Sequence, residues 1–228
     1  IIVFGGLPQG TNGAILDPVS LTWNEFVINP DQIGGQSPAR QLHSAVWAGD
    51  TMLVFGGVLD SGSGGGEVRS FAYNPFTGVG EALPPVPAAL GLSAIHFMGL
   101  RPFWTGQEAI IYASIAFGES GTPEKRVALR YRKDTRTWSE MRLQGDPLPQ
   151  DESFSAVLVG DRLVVWAGKD RTTGNSRSTG GIYRLSTDTW VPLNQTGVPR
   201  ARNSYFAAVI GNEAIFLGGE CGTGGTFE

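Results

Sequence analysis

The sequence has little of several features that mark other classes of protein. It has one cysteine, Cys221, so no disulfide can form within the chain, and the redox compartment stays open. Its 17 basic and 21 acidic residues nearly balance, which gives no reason to expect nucleic acid or an anionic lipid surface as a partner. No apolar run approaches the roughly 18 residues that a membrane-spanning helix needs. The sequence therefore predicts no membrane span, and it leaves the localisation unknown.

Glycine and apolar residues, by contrast, are abundant. The 33 glycines follow no three-residue period, which excludes collagen. Hydrophobic residues make up 41% of the chain and the net charge is only −4, which excludes intrinsic disorder. We therefore expect a well-packed, turn-rich structure.

A short apolar run that ends in two small residues occurs five times. The copies end at residues 6, 57, 114, 168 and 219, so they are 51 to 57 residues apart. A second apolar run and a tight glycine-containing turn precede each later copy, as at Gly49-Asp50, Gly160-Asp161 and Gly211-Asn212. Two β-rich runs around such a turn predict a β-hairpin, so one supersecondary unit is repeated along the chain.

Two further runs follow four of these copies. The third run carries a tyrosine or leucine and the fourth, after a polar turn, carries a tryptophan; the pairs are Leu16 with Trp23, Tyr131 with Trp138, and Tyr183 with Trp190. After Tyr73, the tryptophan position holds Gly80, so we expect looser packing at the rim of that unit. Four short strands per unit, with no helical period, predict an all-β propeller.

The units resemble kelch repeats in Arg40 with His43-Ser44, in Val54-Phe55-Gly56-Gly57, in Tyr73-Asn74-Pro75, and in the tryptophans that close other units. The resemblance implies a kelch-type β-propeller, in which four-stranded antiparallel blades surround a central channel. Paired glycines then allow close backbone approach, and the aromatic rings fill space between sheets. One domain is predicted, with blades at residues 1–27, 38–83, 88–142, 150–193 and 200–228, the first and last being incomplete.

The strand count differs from that of a whole propeller. With strands named A to D outward from the axis, the sequence predicts 17 strands, or about four and a quarter blades. A six-blade ring would need roughly 300 residues. We therefore expect the chain to be part of a larger ring, completed by additional polypeptide or by self-association. The alternative is that the chain closes by itself into a ring of four blades and leaves one strand B over.

The third unit has a longer spacing. Ser93-Ala94-Ile95 matches Ser44-Ala45-Val46, yet the next glycine, Gly106, comes much later than Gly49 does after Ser44. This alignment predicts an enlarged A-to-B loop that holds the apolar, aromatic residues 100–104. Such a loop either anchors an interface or covers the channel end or the adjacent blade.

Strand direction places the candidate binding residues. The segment leading into strand A and the loop from B to C lie on one face, and the B-to-C loops are predicted at residues 60–67, 115–126, 169–181 and 220–226. Mixed arginine and carboxylate groups there suit a polar or acidic peptide or a sugar. The alternative for Arg40 and Arg202 is that they bind neighbouring carboxylates or backbone carbonyls and hold the blades together. The predicted ligand-binding residues are Arg40, Gln41, Asp151, Glu152, Lys169, Arg171, Arg202 and Asn203.

The predicted function is a binding module for a protein or glycan. In kelch adaptors the segment before strand A contacts bound peptides. The resemblance implies the same role for that segment in this chain. The alternative is a carbohydrate-active enzyme of the sugar epimerase or oxidase type, because some kelch propellers act on sugars. No catalytic set, metal site or cofactor is predicted: His43 and His96 have no companion at metal-ligand spacing, and Cys221 lies beyond the last strand B.

Overall fold

The computed structural model describes residues 1–5, 12–35, 38–40, 43–57, 70–87, 101–116, 125–145, 151–152, 154–170, 173–203 and 206–220. Apart from one short 3₁₀ helix, Pro30–Ile33, the regular structure of these residues is all strand. Among them, no helix has the length and apolar character needed to cross a membrane. The chain divides into two compact units, residues 1–125 with 130–139, and residues 126–129 with 140–228.

Antiparallel sheets succeed one another along the described residues. The first sheet is β1 (Ile2–Phe4), β2 (Asn12–Leu16) and β3 (Trp23–Val27). The second is β4 (Ser44–Ala48), β5 (Thr51–Phe55), β6 (Phe71–Asn74) and β7 (Val79–Ala82). The third is β8 (Arg101–Trp104), β9 (Glu108–Ala116), β10 (Lys125–Arg132) and β11 (Thr137–Glu140).

The fourth sheet contains β12 (Asp151–Glu152), β13 (Ser155–Val159), β14 (Arg162–Asp170), β15 (Ser176–Arg184) and β16 (Thr189–Pro192), with β12 and β13 both paired to β14. The fifth is β17 (Phe206–Ile210) and β18 (Glu213–Leu217). Of the 18 described strands, 16 are strands that the sequence predicted, β12 is an additional two-residue strand, and β8 lies where a loop was predicted. The third strand A was predicted at Ser93-Ala94-Ile95, which lie outside the described residues. The all-β prediction with four-stranded antiparallel sheets is confirmed.

The prediction of an inserted loop was wrong for residues 101–104, and Leu100 lies outside the described residues. Residues 101 to 104 form β8, which pairs with β9 from Trp104 opposite Ala109 to Arg101 opposite Tyr112. The Thr105 hydroxyl caps the turn, accepting the backbone N–H groups of Gln107 at 3.3 Å and Glu108 at 3.1 Å. The segment is therefore strand A of the third sheet rather than an inserted loop. Pro102 is tolerated because β8 is the edge strand of its sheet.

The expectation of loose packing beside Gly80 was also wrong. Ile33, at the end of the 3₁₀ helix, is 0% exposed and belongs to the same buried cluster as Tyr73. A Cβ on Gly80 would meet the Ile33 Cγ2 at 3.2 Å, so the isoleucine fills the space that the missing tryptophan leaves. Asn29 holds the helix in place, because its side chain accepts the backbone N–H of Asp31 at 3.0 Å.

Trp138 and Trp190 each bond to the segment that follows the last strand of the preceding sheet. Trp138 packs on Tyr131 with ring centroids 4.8 Å apart, and its indole N–H donates to the carbonyl of Pro84 at 2.9 Å. In the second unit Trp190 packs on Tyr183 at 5.3 Å and donates to the carbonyl of Arg142 at 3.1 Å. The repeated residues therefore make the same contact in both units.

Candidate functional site

The fourth sheet carries the longest hairpin at the predicted binding face. Strands β14 and β15 continue past a register shift between Trp166 and Gly168, so Lys169 lies opposite Ser176. The predicted B-to-C loops at residues 169–181 and 115–126 are therefore partly strand, because β14 extends to Asp170 and β9 extends to Ala116. In the fourth sheet, β14 ends at Asp170 and β15 begins at Ser176.

The segment leading into strand A joins this hairpin. In the backbone register of β12 and β14, Asp151 lies opposite Asp170 and Glu152 lies opposite Lys169. Three residues that were predicted from separate positions in the sequence, Asp151, Glu152 and Lys169, are thus neighbours on one sheet. Two acidic residues and a lysine thus come together in the backbone register at the end of the fourth sheet.

Arg202 and Asn203 lie beside the same hairpin. The N–H of Arg202 donates to the carbonyl of Arg177 at 3.1 Å, and its own carbonyl accepts the N–H of Gly168 at 3.1 Å. Asn203 exchanges two backbone hydrogen bonds with Glu220, and its side-chain amide donates to the Ser176 hydroxyl at 2.7 Å. These two residues therefore connect the end of the fourth sheet to the segment after β18, and Asn203 is buried.

Arg40 and Arg202 use their side chains in the same way. Arg40 donates from Nε to the carbonyl of Pro38 at 3.3 Å and from Nη1 to that of Gly56 at 3.1 Å. Arg202 donates from Nε to the carbonyl of Arg200 at 3.2 Å and from Nη1 to that of Gly218 at 2.9 Å. Each guanidinium thus binds the first of the two glycines that end a strand B, which is the structural alternative that the sequence left open.

The two arginines differ in burial. Arg40 is 1% exposed and its guanidinium carbon lies 4.7 Å from the centre of the Phe71 ring. Burial lowers the pKa of Arg40 to about 10. Arg202 is partly exposed, and its guanidinium carbon lies 6.0 Å from the centre of the Trp166 ring. Of the pair, only Arg202 presents part of its side chain to solvent.

Arg177 belongs to this cluster, although it was not among the predicted binding residues. It pairs with the Asp170 carboxylate, which also accepts the backbone N–H of Thr173 at 2.8 Å. The Thr173 hydrogen bond, together with Arg177, holds the pKa of Asp170 below its usual value. A backbone bridge between Arg177 and Arg202 puts Arg177 beside the segment that leads into strand A, and sequence reasoning missed it because residues 169–181 were interpreted as a loop. Gln41 and Arg171 lie outside the described residues.

The His43 ring packs against a neighbouring aromatic side chain. Its ring lies edge-on to Phe4, with centroids 5.3 Å apart, and its buried Nδ1 has no hydrogen-bond partner among the described residues. Burial, with the nearby charge of Arg40, lowers the pKa of His43. Within the described residues no group of three or more His, Cys, Asp or Glu side chains could hold a metal ion. His96 lies outside the described residues.

Comparison with known proteins gives two kinds of similarity. No family model matches the chain. The human Kelch domain-containing protein 3 is 24% identical over 218 residues, which cover 90% of this chain and 55% of the human protein. The cattle protein of the same name is 27% identical over 203 residues, covering 84% of this chain and 51% of that protein. The chain thus spans about half the length of the curated relatives that it matches.

A solved structure shows the same fold. The structure of YjhT, a kelch-type propeller, aligns with a TM-score of 0.63 and 17% identity, covering 96% of this chain and 69% of YjhT. Together with the curated relatives, this similarity confirms the predicted resemblance of the repeats.

Proposed function

Because this chain carries the repeats and the fold of a kelch-type β-propeller, we propose that it is a protein-binding module whose partner contacts the end of the fourth sheet. The observation that carries the proposal is the meeting of Lys169, Arg177 and Arg202 around the extended β14–β15 hairpin. Their positive charges suit a polar or acidic peptide segment, because charged side chains at an exposed rim steer and orient a partner.

The surrounding groups set the specificity of this surface. Asp170 neutralises part of the charge of Arg177, while Asp151 and Glu152 enter the same sheet through β12. An extended peptide with alternating polar and acidic side chains matches such a mixed surface better than a uniformly acidic one does. Asn203, buried and bonded to Ser176, keeps the strand A segment against the hairpin.

In this proposal the two arginines have different roles. Arg202 contributes its exposed part to the partner, whereas Arg40 stabilises the second sheet, which belongs to the other unit. Because Arg40 is buried and bonded to Pro38 and Gly56, it sets the course of the segment before β4 rather than touching the partner directly. Lys169 is partly exposed on β14 and is the charged residue that we choose for the test.

A displayed peptide library selected on the immobilised 228-residue chain tests the proposal. We expect enriched polar or acidic peptides, and we expect Lys169→Glu to weaken their binding roughly tenfold in fluorescence polarisation. Arg184→Glu is the matched control, because Arg184 is exposed at the other end of β15. Equal binding by both variants would show that the fourth-sheet hairpin is not the binding surface. Enrichment of glycans on an array, with no peptide selected, would overturn the protein-binding function.

A further inference from the structure

Strand B ends with the same backbone conformation in the second, fourth and fifth sheets. The first residue of the closing pair has a φ between 53° and 74° and the second has a φ between 96° and 118°; the pairs are Gly56-Gly57, Ala167-Gly168 and Gly218-Gly219. Ala167 adopts this conformation although a positive φ is uncommon for a residue other than glycine. The three strand ends are therefore equivalent, position by position.

The segment leading into strand A lies against this strand end in one register. In the fourth and fifth sheets the residue after the closing pair lies opposite a residue of that segment; the two pairs are Lys169 with Glu152 and Glu220 with Asn203. Asp151 and Arg202, each one residue earlier in the segment, therefore hold equivalent backbone positions. Arg40 holds this position before the second sheet, since Arg40, Asp151 and Arg202 each lie four residues before the first residue of their strand A.

In the second and fifth sheets the arginine at this position binds the strand end. The Nη1 atom of Arg40 donates to the carbonyl of Gly56 at 3.1 Å, and that of Arg202 donates to the carbonyl of Gly218 at 2.9 Å. In each case Nε donates to a second carbonyl, two residues earlier in the chain. The planar fork of the guanidinium is thus held twice in this chain by the same backbone arrangement.

The fourth sheet has no arginine at this position. Asp151 stands in its place, and among the described residues no side chain donates a hydrogen bond to the carbonyl of Ala167. Thr179 lies opposite Ala167, in the register shift between the partners of Trp166 and Gly168. Its buried hydroxyl has no hydrogen-bond partner within the part of the chain that the structure describes. This strand end therefore combines acceptor groups with an acidic residue where the other two sheets have a guanidinium.

The aromatic ring beside the arginine is also missing from the fourth sheet. In the second sheet Phe71 lies opposite Val54, and the Arg40 guanidinium lies 4.7 Å from the centre of the Phe71 ring. The equivalent pair in the fourth sheet is Gly181 with Val165, so β15 carries no ring at that register position. The fourth sheet thus lacks both the internal cation and the ring that packs on it.

We propose that the end of the fourth sheet, at Asp151 and Ala167, binds the guanidinium of an arginine side chain that a protein partner presents. Asp151 attracts the positive charge, and the carbonyl of Ala167 accepts a hydrogen bond as those of Gly56 and Gly218 do. Lys169 is partly exposed at this end of the sheet, so a partner has access to it. This site rests on the proposed function, because the arginine belongs to the bound peptide segment.

The probe is a short peptide, acetyl-Ser-Arg-Ser-amide, and its control carries citrulline, the neutral isostere of arginine, at the central position. Titration of the isotope-labelled 228-residue chain, followed by ¹H–¹⁵N NMR, measures both affinities. We expect the citrulline peptide to bind about tenfold more weakly, because a charged hydrogen bond is lost. Equal affinities of the two peptides would overturn the proposal, and so would the lack of saturable binding by the arginine peptide.

Protein variants locate the binding. Asp151→Arg supplies the guanidinium from the chain itself, so we expect it to abolish binding of the arginine peptide and to raise the urea midpoint of unfolding. Glu213→Arg is the matched control, because Glu213 is exposed at the start of β18, and we expect neither change. If circular dichroism shows that Asp151→Arg is unfolded, Asp151→Asn replaces it, with about tenfold weaker binding expected. Unchanged binding by a folded Asp151 variant, or a lowered midpoint of folded Asp151→Arg, would overturn the proposal.

The arginine site and the protein-binding function fail in different ways. If the peptide library enriches acidic peptides while the arginine and citrulline probes bind equally, the protein-binding function stands and the arginine site is overturned. If the library yields no peptide while the arginine probe binds and depends on Asp151, the protein-binding function is overturned and the guanidinium site stands.

Discussion

The Nη1 atom of Arg40 lies 3.1 Å from the backbone oxygen of Gly56 and donates a hydrogen bond to it. The bond joins the segment before β4 to the end of β5, where the paired glycines both have positive φ angles, 62° at Gly56 and 98° at Gly57. Backbone in this conformation leaves the strand ladder, so its carbonyl needs another donor. The buried arginine side chain provides that donor.

Replacing Arg40 by methionine is expected to lower the free energy of unfolding by about 1–3 kcal/mol, because Gly56 loses the donor to its carbonyl. Guanidinium chloride unfolding followed by tryptophan fluorescence measures this change. Arg202→Met is the matched comparison, since it removes the equivalent bond at a partly exposed site, and we expect a smaller loss. Equal stability of the Arg40 variant and the unmodified chain would show that the bond contributes nothing.

Ile33→Ala is expected to destabilise the first unit by about 2–5 kcal/mol, because it leaves a cavity beside Gly80 in a buried cluster. Chemical unfolding of the variant measures the loss. Phe76→Ala serves as the control, because Phe76 is exposed and its truncation should change stability far less. If the two variants unfold at the same denaturant concentration, Ile33 does not replace the missing tryptophan.

Gly5→Ala is expected to destabilise the chain by about 1–3 kcal/mol. Gly5 has a φ of 71°, and a Cβ there would lie 2.6 Å from the Cε1 of His43. Gly49→Ala provides a comparison, because Gly49 also has a positive φ but has open space around its Cα. A thermal melt that shows the same shift for both variants would mean that the clash with His43 adds nothing to backbone strain.

Acid sensitivity is expected from the ion pair between Lys133 and Asp50, whose Nζ and Oδ1 atoms are 2.5 Å apart. The hydrogen bond from Lys133 lowers the pKa of Asp50 from 3.8 to about 2. The folded state therefore binds this proton less readily than the unfolded state, so the contribution is complete above pH 3.8 and is lost as the pH falls through about 2. Lys133→Met should flatten the fall in melting temperature over this interval, measured by circular dichroism. An unchanged pH profile would contradict this origin.

Local pattern was sufficient for most of the fold. The alternation of apolar residues, the glycine turns and the regular spacing of the five runs predicted strands A to D, since these signals depend on neighbours in sequence. The same reasoning failed for Arg101–Trp104, where a short serine-containing match was preferred to the hairpin register that Trp104 makes with Ala109. Pairing energy accumulates over the whole strand, whereas a three-residue match carries little weight.

The candidate site was predicted only in outline. Position in the repeat was enough to bring Asp151, Glu152 and Lys169 to one end of the fourth sheet, because strand direction follows from connectivity. Arg177 was missed, and the two predicted arginines proved to differ in exposure. Burial depends on which distant segments cover a side chain, and sequence spacing carries no measure of it.

The repeat in the amino-acid sequence was therefore enough to identify the strands, their order and the kelch resemblance, because each depends on contacts between near neighbours. Tertiary structure alone decided that Ile33 fills the space at Gly80, that the Arg40 guanidinium is bound to the carbonyl of Gly56, and that the Trp166 ring packs edge-on against Phe216. Each of these depends on the volume and hydrogen-bonding groups of residues far apart in the chain, which meet only when the sheets pack.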